Sequence, residues 1–235
     1  MSPARQLRLA ALNIDGVLLN DTFSPVIHHF VVSRGAPYTA DVERRIFSQP
    51  QDVAGREMAA VTGLDRAGVS GEEALARYFE ERAAYLEDHP VEVMDGALDL
   101  IKRVRAMGLA TVCYGGLGKE HFDRFLGAYA NDFFDAPHYV CTNGFRPGIR
   151  EITDRFGLRH DQVLFVDDVA RVAEAAKELD VAFIGHPSSF HGSFQRQLMR
   201  EAGVRHIAGS LYEIDEPLLE RVDQEAKNGS SWAMD

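Results

Sequence analysis

Cysteine is scarce in this chain. Two occur among 235 residues, Cys113 and Cys141, and their separation matches no metal-binding spacing. A disulfide framework and a cysteine-built zinc site are excluded as organising features, and a reducing compartment, the cytoplasm, is expected. Basic charge is short as well: 25 Lys and Arg stand against 36 Asp and Glu, a net charge of −11. Neither nucleic acid nor an anionic membrane surface is therefore an expected partner, although a local anion pocket remains compatible. Nothing approaches the run of about 20 apolar residues that a membrane-spanning helix needs. The apolar stretch near the N-terminus is short and interrupted by Arg5 and Arg8, so no targeting segment is expected there. Tryptophan occurs once, at position 232, within a tail (226–235) expected to fray. Repeats and low-complexity segments are also missing. What remains is 46% hydrophobic and 26% charged, the balance of a globular protein with one domain and a sizeable insertion, or two small domains.

The informative stretch is residues 7–19, Leu-Arg-Leu-Ala-Ala-Leu-Asn-Ile-Asp-Gly-Val-Leu-Leu. Its apolar run fits a buried strand that ends at polar Asn13, and Gly16 turns the backbone at the C-terminal edge. Residues 20–90 then read as four short helices. Ser24-Pro25 suggests a cap followed by proline at the first helical position, with Gly35 as a stop. Thr39 is a candidate cap for the next helix, a third helix is expected over 53–61, and Ser70-Gly71-Glu72-Glu73 reads as a capping box. From residue 91 strands and helices alternate. Strands are expected at 109–113, 139–141, 163–166, 181–184 and 205–208, with amphipathic helices between them. That alternation predicts an α/β fold with a parallel sheet covered on both faces, and in such sheets ligands bind at the carboxyl ends of the strands.

Asn13-Ile14-Asp15-Gly16-Val17 resembles the first motif of the haloacid dehalogenase (HAD) superfamily, Asp-x-Asp-Gly-x. The resemblance extends in motif order over nearly the whole chain. It implies a Rossmann-like core formed by residues 1–19 and 91–235, with a small helical cap (20–90) inserted after the first strand. In that family the first aspartate is the covalent nucleophile and a Mg²⁺ ligand, and the second is the general acid/base. Here the nucleophile position holds Asn13, whose neutral amide is a poor attacking group. Asp15 keeps the acid/base position. The second motif normally ends in a phosphate-binding Thr or Ser, whereas this chain has Tyr114 followed by Gly115-Gly116. The third normally supplies Lys, whereas Arg146-Pro147 stands there; arginine keeps the charge but not the ammonium geometry. The fourth is kept as Asp167-Asp168 after the strand 163–166, but the further acid expected a turn later meets Val172, beside Arg171. By this resemblance the metal ligands would be Asn13, Asp15, Asp167 and Asp168, and the ligand contacts Tyr114, Gly115, Gly116 and Arg146. With one carboxylate lost, Mg²⁺ is expected to bind weakly or not at all.

Three functions are compatible with these residues. The favoured one is a degenerate relative that binds a small anionic, phosphorylated ligand or a protein partner with little or no hydrolase activity. A second is a phosphohydrolase working by another route, with water activated by Asp15. A third is a substrate-trapping Asp→Asn change in an otherwise ordinary phosphatase, against which Tyr114, Arg146 and Val172 all speak. Asn13 could equally hydrogen-bond nearby loop backbone, and Asp15 could only brace its turn. His28-His29, Arg44, Arg45 and Gln49 on the helical insertion are weaker candidates, readable as a solvated face. Cys113 is expected to be a buried strand residue.

Overall fold

The computed structural model describes residues 5–232. Strand β1 (Leu9–Asn13) is followed by four helices, α1 (Ser24–Val32), α2 (Ala40–Ile46), α3 (Gln51–Thr62) and α4 (Gly71–Asp88). Helix α5 (Ala97–Ala106) leads to β2 (Ala110–Gly115), α6 (Lys119–Phe125), α7 (Ala130–Phe133) and β3 (Tyr139–Cys141). Then come α8 (Ile149–Arg155), β4 (Val163–Asp167), α9 (Ala170–Glu178) and β5 (Ala182–Gly185). The last elements are α10 (Gln195–Ala202), β6 (His206–Ile207) and α11 (Glu216–Asn228).

The strands form one six-stranded parallel sheet in the order β3-β2-β1-β4-β5-β6. Every residue of β1 and β4 is buried, as expected for central strands covered on both faces. Alternation along β1 divides the core. Leu9 and Ala11 point into a cluster shared with α9 and with Ile27, Phe30 and Tyr78 of the helical insertion. Ala10 and Leu12 point into the opposite cluster with α5 and α11. Each fully buried Leu or Phe side chain contributes about 1.5–3 kcal/mol of apolar burial.

Chain order reverses at β1. Strands β2 and β3 extend to one side and β4 to β6 to the other, so loops on either side of that switch point diverge and leave a crevice. Asn13 pairs in register with Tyr114, and Leu12 with Val166. The sheet therefore brings the ends of β1, β2 and β4 together. Above them α3 and α4 pack very closely: a Cβ on Gly55 would lie 2.3 Å from the Gly71 carbonyl oxygen.

Three local expectations need correction. Ser24 is the first helical residue and makes no cap; the Asp21 carboxylate accepts from the amides of Phe23 and Ser24, both at 2.9 Å. A carboxylate at a helix N-terminus satisfies free amides and opposes the helix dipole favourably. The capping box at Ser70 is half formed, because Ser70 Oγ accepts from the Glu73 amide but the Glu73 carboxylate pairs with Arg77. The tail does not fray at residue 226: α11 continues to Asn228, and the Trp232 indole N–H donates to the Val181 carbonyl at 2.8 Å. Its ring also meets Phe183. Residues 233–235 of the expected tail lie outside the described residues. Thr39 caps α2 by accepting from the Val42 amide.

Candidate active site

The turn after β1 begins with the Asn13 side chain, which is 5% exposed. Its Nδ2 donates to the backbone carbonyl of Asp15 at 2.7 Å and to Asp168 Oδ1 at 2.8 Å. Both partners are acceptors, so the amide nitrogen, not its oxygen, must face them. Gly16 completes the turn at φ +88°, and a Cβ there would lie 2.3 Å from Asp168 Oδ2. Only glycine lets the backbone pass so close to the Asp168 carboxyl. His186 Nδ1 lies 2.9 Å from the Gly16 carbonyl. Burial holds this histidine below its ordinary pKa, so the neutral ring donates its Nδ1 proton to the turn.

Asp167 and Asp168 leave β4 in different directions. Asp167 is fully buried; it accepts from the Tyr114 hydroxyl and, at 2.8 Å, from the Val169 amide. Burial pushes its carboxyl up to about 6, while the Tyr114 hydrogen bond pulls the other way. Burial, and then the neighbouring Asp167, also push Asp168 upward, and the hydrogen bond from Asn13 opposes this. Tyr114 is itself raised by burial and by Asp167.

Asp15 has a partner that sequence reasoning missed. His121 Nε2, on the first turn of α6, lies 2.9 Å from Asp15 Oδ1, with the two side chains 12% and 14% exposed. Facing a carboxylate, that nitrogen is placed to donate. On the other flank Arg146 packs against Gly116, where a Cβ would come within 2.3 Å of Nη1. Its Nε is buried without a hydrogen-bond partner.

These groups floor a cavity of about 120 Å³ between the sheet edge and the helical insertion. Asn13, Asp15, Gly116, Arg146 and Asp168 line it from below; Phe23, Ile27, Met58, Leu75, Tyr78 and Phe79 are among the residues above. Two expected ligand contacts are displaced. Tyr114 is wholly buried and serves Asp167, and Gly115 packs against Ile14, its virtual Cβ 2.4 Å from Ile14 Cγ2. A tyrosine reaches farther than a threonine, so its hydroxyl overshoots the pocket and finds the carboxylate two strands away.

Of the weaker candidates, Gln49 lines the cavity. Arg44 pairs with Glu174 and Glu201, and Arg45 with Glu57. His28 packs edge-on between Tyr38 and Phe190. Cys113 is buried, which pushes its thiol well above the usual range and leaves it no nucleophile. Asp21, Ser48 and Tyr78 also line the cavity. Asp21 was legible as an Asx residue before a proline helix, but no spacing signalled the other two.

The donor set does not fit Mg²⁺. That ion needs oxygen ligands in near-octahedral geometry, whereas the Asn13 nitrogen lies between the Asp15 carbonyl and Asp168 with its protons toward both. Asp167 is turned to Tyr114, and Val172 is fully buried in the apolar core. Among the described residues no group of three or more His, Cys, Asp or Glu side chains is placed to hold a metal ion. The amide's two N–H groups do the electrostatic work of a cation, holding two acceptors together.

No family model matches the chain, and no curated protein matches it. Solved structures do. A phosphonoacetaldehyde hydrolase-like protein from Oleispira antarctica superimposes with a TM-score of 0.70 at 13% identity, over 97% of this chain and 99% of that one. A HAD hydrolase of family IA, variant 3, from Entamoeba histolytica gives 0.66 at 11% identity, over 93% and 100%. A protein described as a predicted phosphoglycolate phosphatase from Haemophilus somnus gives 0.62 at 15% identity, over 90% and 98%. At these identities the likeness concerns the fold.

Proposed function

The chain has the fold of the haloacid dehalogenase superfamily, and from that premise we propose that it binds a small organic anion without phosphoaspartate chemistry. Residues 20–90 act as the cap over a core formed by the described residues on either side of them, 5–19 and 91–232. The observation that carries this reading is the Asn13 amide, which replaces the attacking oxygen and donates to both the Asp15 carbonyl and Asp168. Fold by itself would not support the reading, since one fold hosts many activities. Arg146 supplies a cavity-lining guanidinium for the anion.

The test is an assay of phosphomonoester hydrolysis with Mg²⁺ on three proteins: the unchanged chain, Asn13→Asp, and Asn13→Asp combined with Tyr114→Thr and Arg146→Lys. Positioning supplies much of phosphoryl-transfer catalysis. Restoring the carboxylate alone is therefore expected to leave turnover far below the common enzymatic range of about 1–10³ s⁻¹, because Tyr114 still occupies the place of the phosphate-binding hydroxyl. Ordinary turnover by Asn13→Asp alone would instead identify an intact phosphatase pocket carrying one substitution.

One observation favours a second reading. The Asp15–His121 pair has the geometry of a carboxylate general base with a proton-relaying partner, which suits attack by water without a covalent intermediate. Hydrolysis by the unchanged chain that Asp15→Asn abolishes would establish that route and remove the first.

A further inference from the structure

Resting on the reading that this cavity takes an anion, we propose that its ligand is an apolar monocarboxylate, with an aromatic or branched aliphatic body about the size of a benzene ring. The volume sets the size. At about 120 Å³ the cavity is close to the roughly 150 Å³ apolar cavity that accepts benzene. The upper wall includes Phe23, Ile27, Met58, Leu75 and Phe79, an apolar surface suited to a hydrocarbon body.

Three of the residues that line the cavity each carry a buried polar atom without a partner. The Tyr78 hydroxyl oxygen and Ser48 Oγ are both buried and unbonded, in residues 2% and 6% exposed. Arg146 Nε is likewise buried and unbonded. A buried hydroxyl or guanidinium N–H without a partner is destabilising, and native structures rarely leave several around one cavity. Arg146 Nε can only donate, so its missing partner is an acceptor, and both hydroxyls can donate to an acceptor as well. Ser48 is also held at φ +53°, a strained conformation for a non-glycine residue that concentrates at binding sites.

Charge selects among acceptors. One guanidinium, that of Arg146, lines the cavity together with the carboxyl groups of Asp15, Asp21 and Asp168. A monocarboxylate presents one negative charge and two coplanar oxygens, which the planar guanidinium matches. A phosphate monoester, largely dianionic at neutral pH, would be set among three carboxyl groups with no second cation. A carboxylate on an apolar body satisfies the orphaned donors and fills the apolar wall at once.

The experiment measures binding to the intact chain by calorimetry and thermal shift, in chelator, with three probes sharing one ring: benzoate, phenyl phosphate and benzylamine. Benzoate is expected to raise the melting temperature in a concentration-dependent way and to bind at least about tenfold more tightly than phenyl phosphate, a difference of about 1.4 kcal/mol. Benzylamine is expected to give no shift. Arg146→Gln should weaken benzoate at least tenfold. Tyr78→Phe and Ser48→Gly separate binding from folding. Each removes an unpartnered hydroxyl, so the unliganded melting temperature should hold or rise, while benzoate affinity falls severalfold. Phenyl phosphate or benzylamine binding as tightly as benzoate would overturn the proposal, as would absence of benzoate binding or affinity indifferent to Arg146→Gln. Mg²⁺-dependent hydrolysis of phenyl phosphate would defeat the metal-free reading of the site, a result separate from the chelated binding measurements.

Discussion

Replacing Asn13 by Asp tests the amide that holds the site together. The wild-type Nδ2 makes one hydrogen bond to a carbonyl and one to a carboxyl group, at 2.7 and 2.8 Å. The first is worth about 1 kcal/mol net and the second about 1.5–3 kcal/mol. Asn13→Asp removes both and places a second carboxyl against Asp168, in a position where both side chains are 5% exposed. Two such groups cannot both ionise at that separation, so one is expected to retain a proton. The loss at neutral pH is therefore about 2–4 kcal/mol rather than the full cost of a buried unpaired charge. For a chain of this length it corresponds to a fall of roughly 5–15 °C in melting temperature. The new acid has its folded pKa raised above the unfolded one. Its neutral form is tolerated, so the deficit is smallest below the unfolded value and grows as pH rises through the folded value. Scanning calorimetry in chelator at neutral pH and near pH 5 should show the gap from wild type narrowing on the acid side. Mg²⁺ should raise the melting temperature of Asn13→Asp, whose converging oxygens it can bridge, and leave wild type unchanged. A variant melting within about 1 °C of wild type in chelator at neutral pH, or a wild type that gains as much from Mg²⁺, would refute the bridging-amide argument.

Gly16→Ala should cost about 3 kcal/mol or more in denaturant unfolding, because a left-handed φ is combined with a Cβ 2.3 Å from Asp168 Oδ2; a loss under about 1 kcal/mol would mean that the turn relaxes freely. Glu43 is fully buried between the Tyr38 hydroxyl, the Phe194 amide and Gln195 Nε2, at 2.8–2.9 Å, and burial raises its pKa. Its stabilising contribution is therefore present at low pH and lost as pH rises through that raised value. Glu43→Gln should trail wild type most in acid and close the gap toward alkaline pH, read as melting temperature against pH; a gap that widens would reverse the assignment. Trp232→Ala, which removes the hydrogen bond to Val181 and the contact with Phe183, should lower stability by about 1–3 kcal/mol without changing the response of the site to Mg²⁺.

Much of the architecture was legible in one dimension because it rests on patterns of one dimension. Continuous apolar runs such as 163–166 must be buried on both faces, and alternation with amphipathic helices leaves few topologies besides a parallel doubly wound sheet. The amide at residue 13, at the end of the first apolar run, was equally plain. Helix ends were less so, because Asp21 and Ser24 are both good capping residues and only the loop's path decides which carboxyl or hydroxyl meets the free amides.

The composition, the strand order along the chain and the residue types at the motif positions determined that this protein has a sheet edge bearing Asn13, Asp15 and Asp168. Direction and company were decided only in three dimensions. That Tyr114 would reach across to Asp167 depends on the ring's length and the parallel register. That His121, 106 residues away, would meet Asp15 depends on how α6 leaves β2. That Ser48 and Tyr78, each with an unpartnered hydroxyl, would line the cavity depends on how the helices between β1 and α5 pack over the sheet. Periodicity states which face of an element is buried, but the neighbour it meets there is set by contacts between residues far apart in the chain.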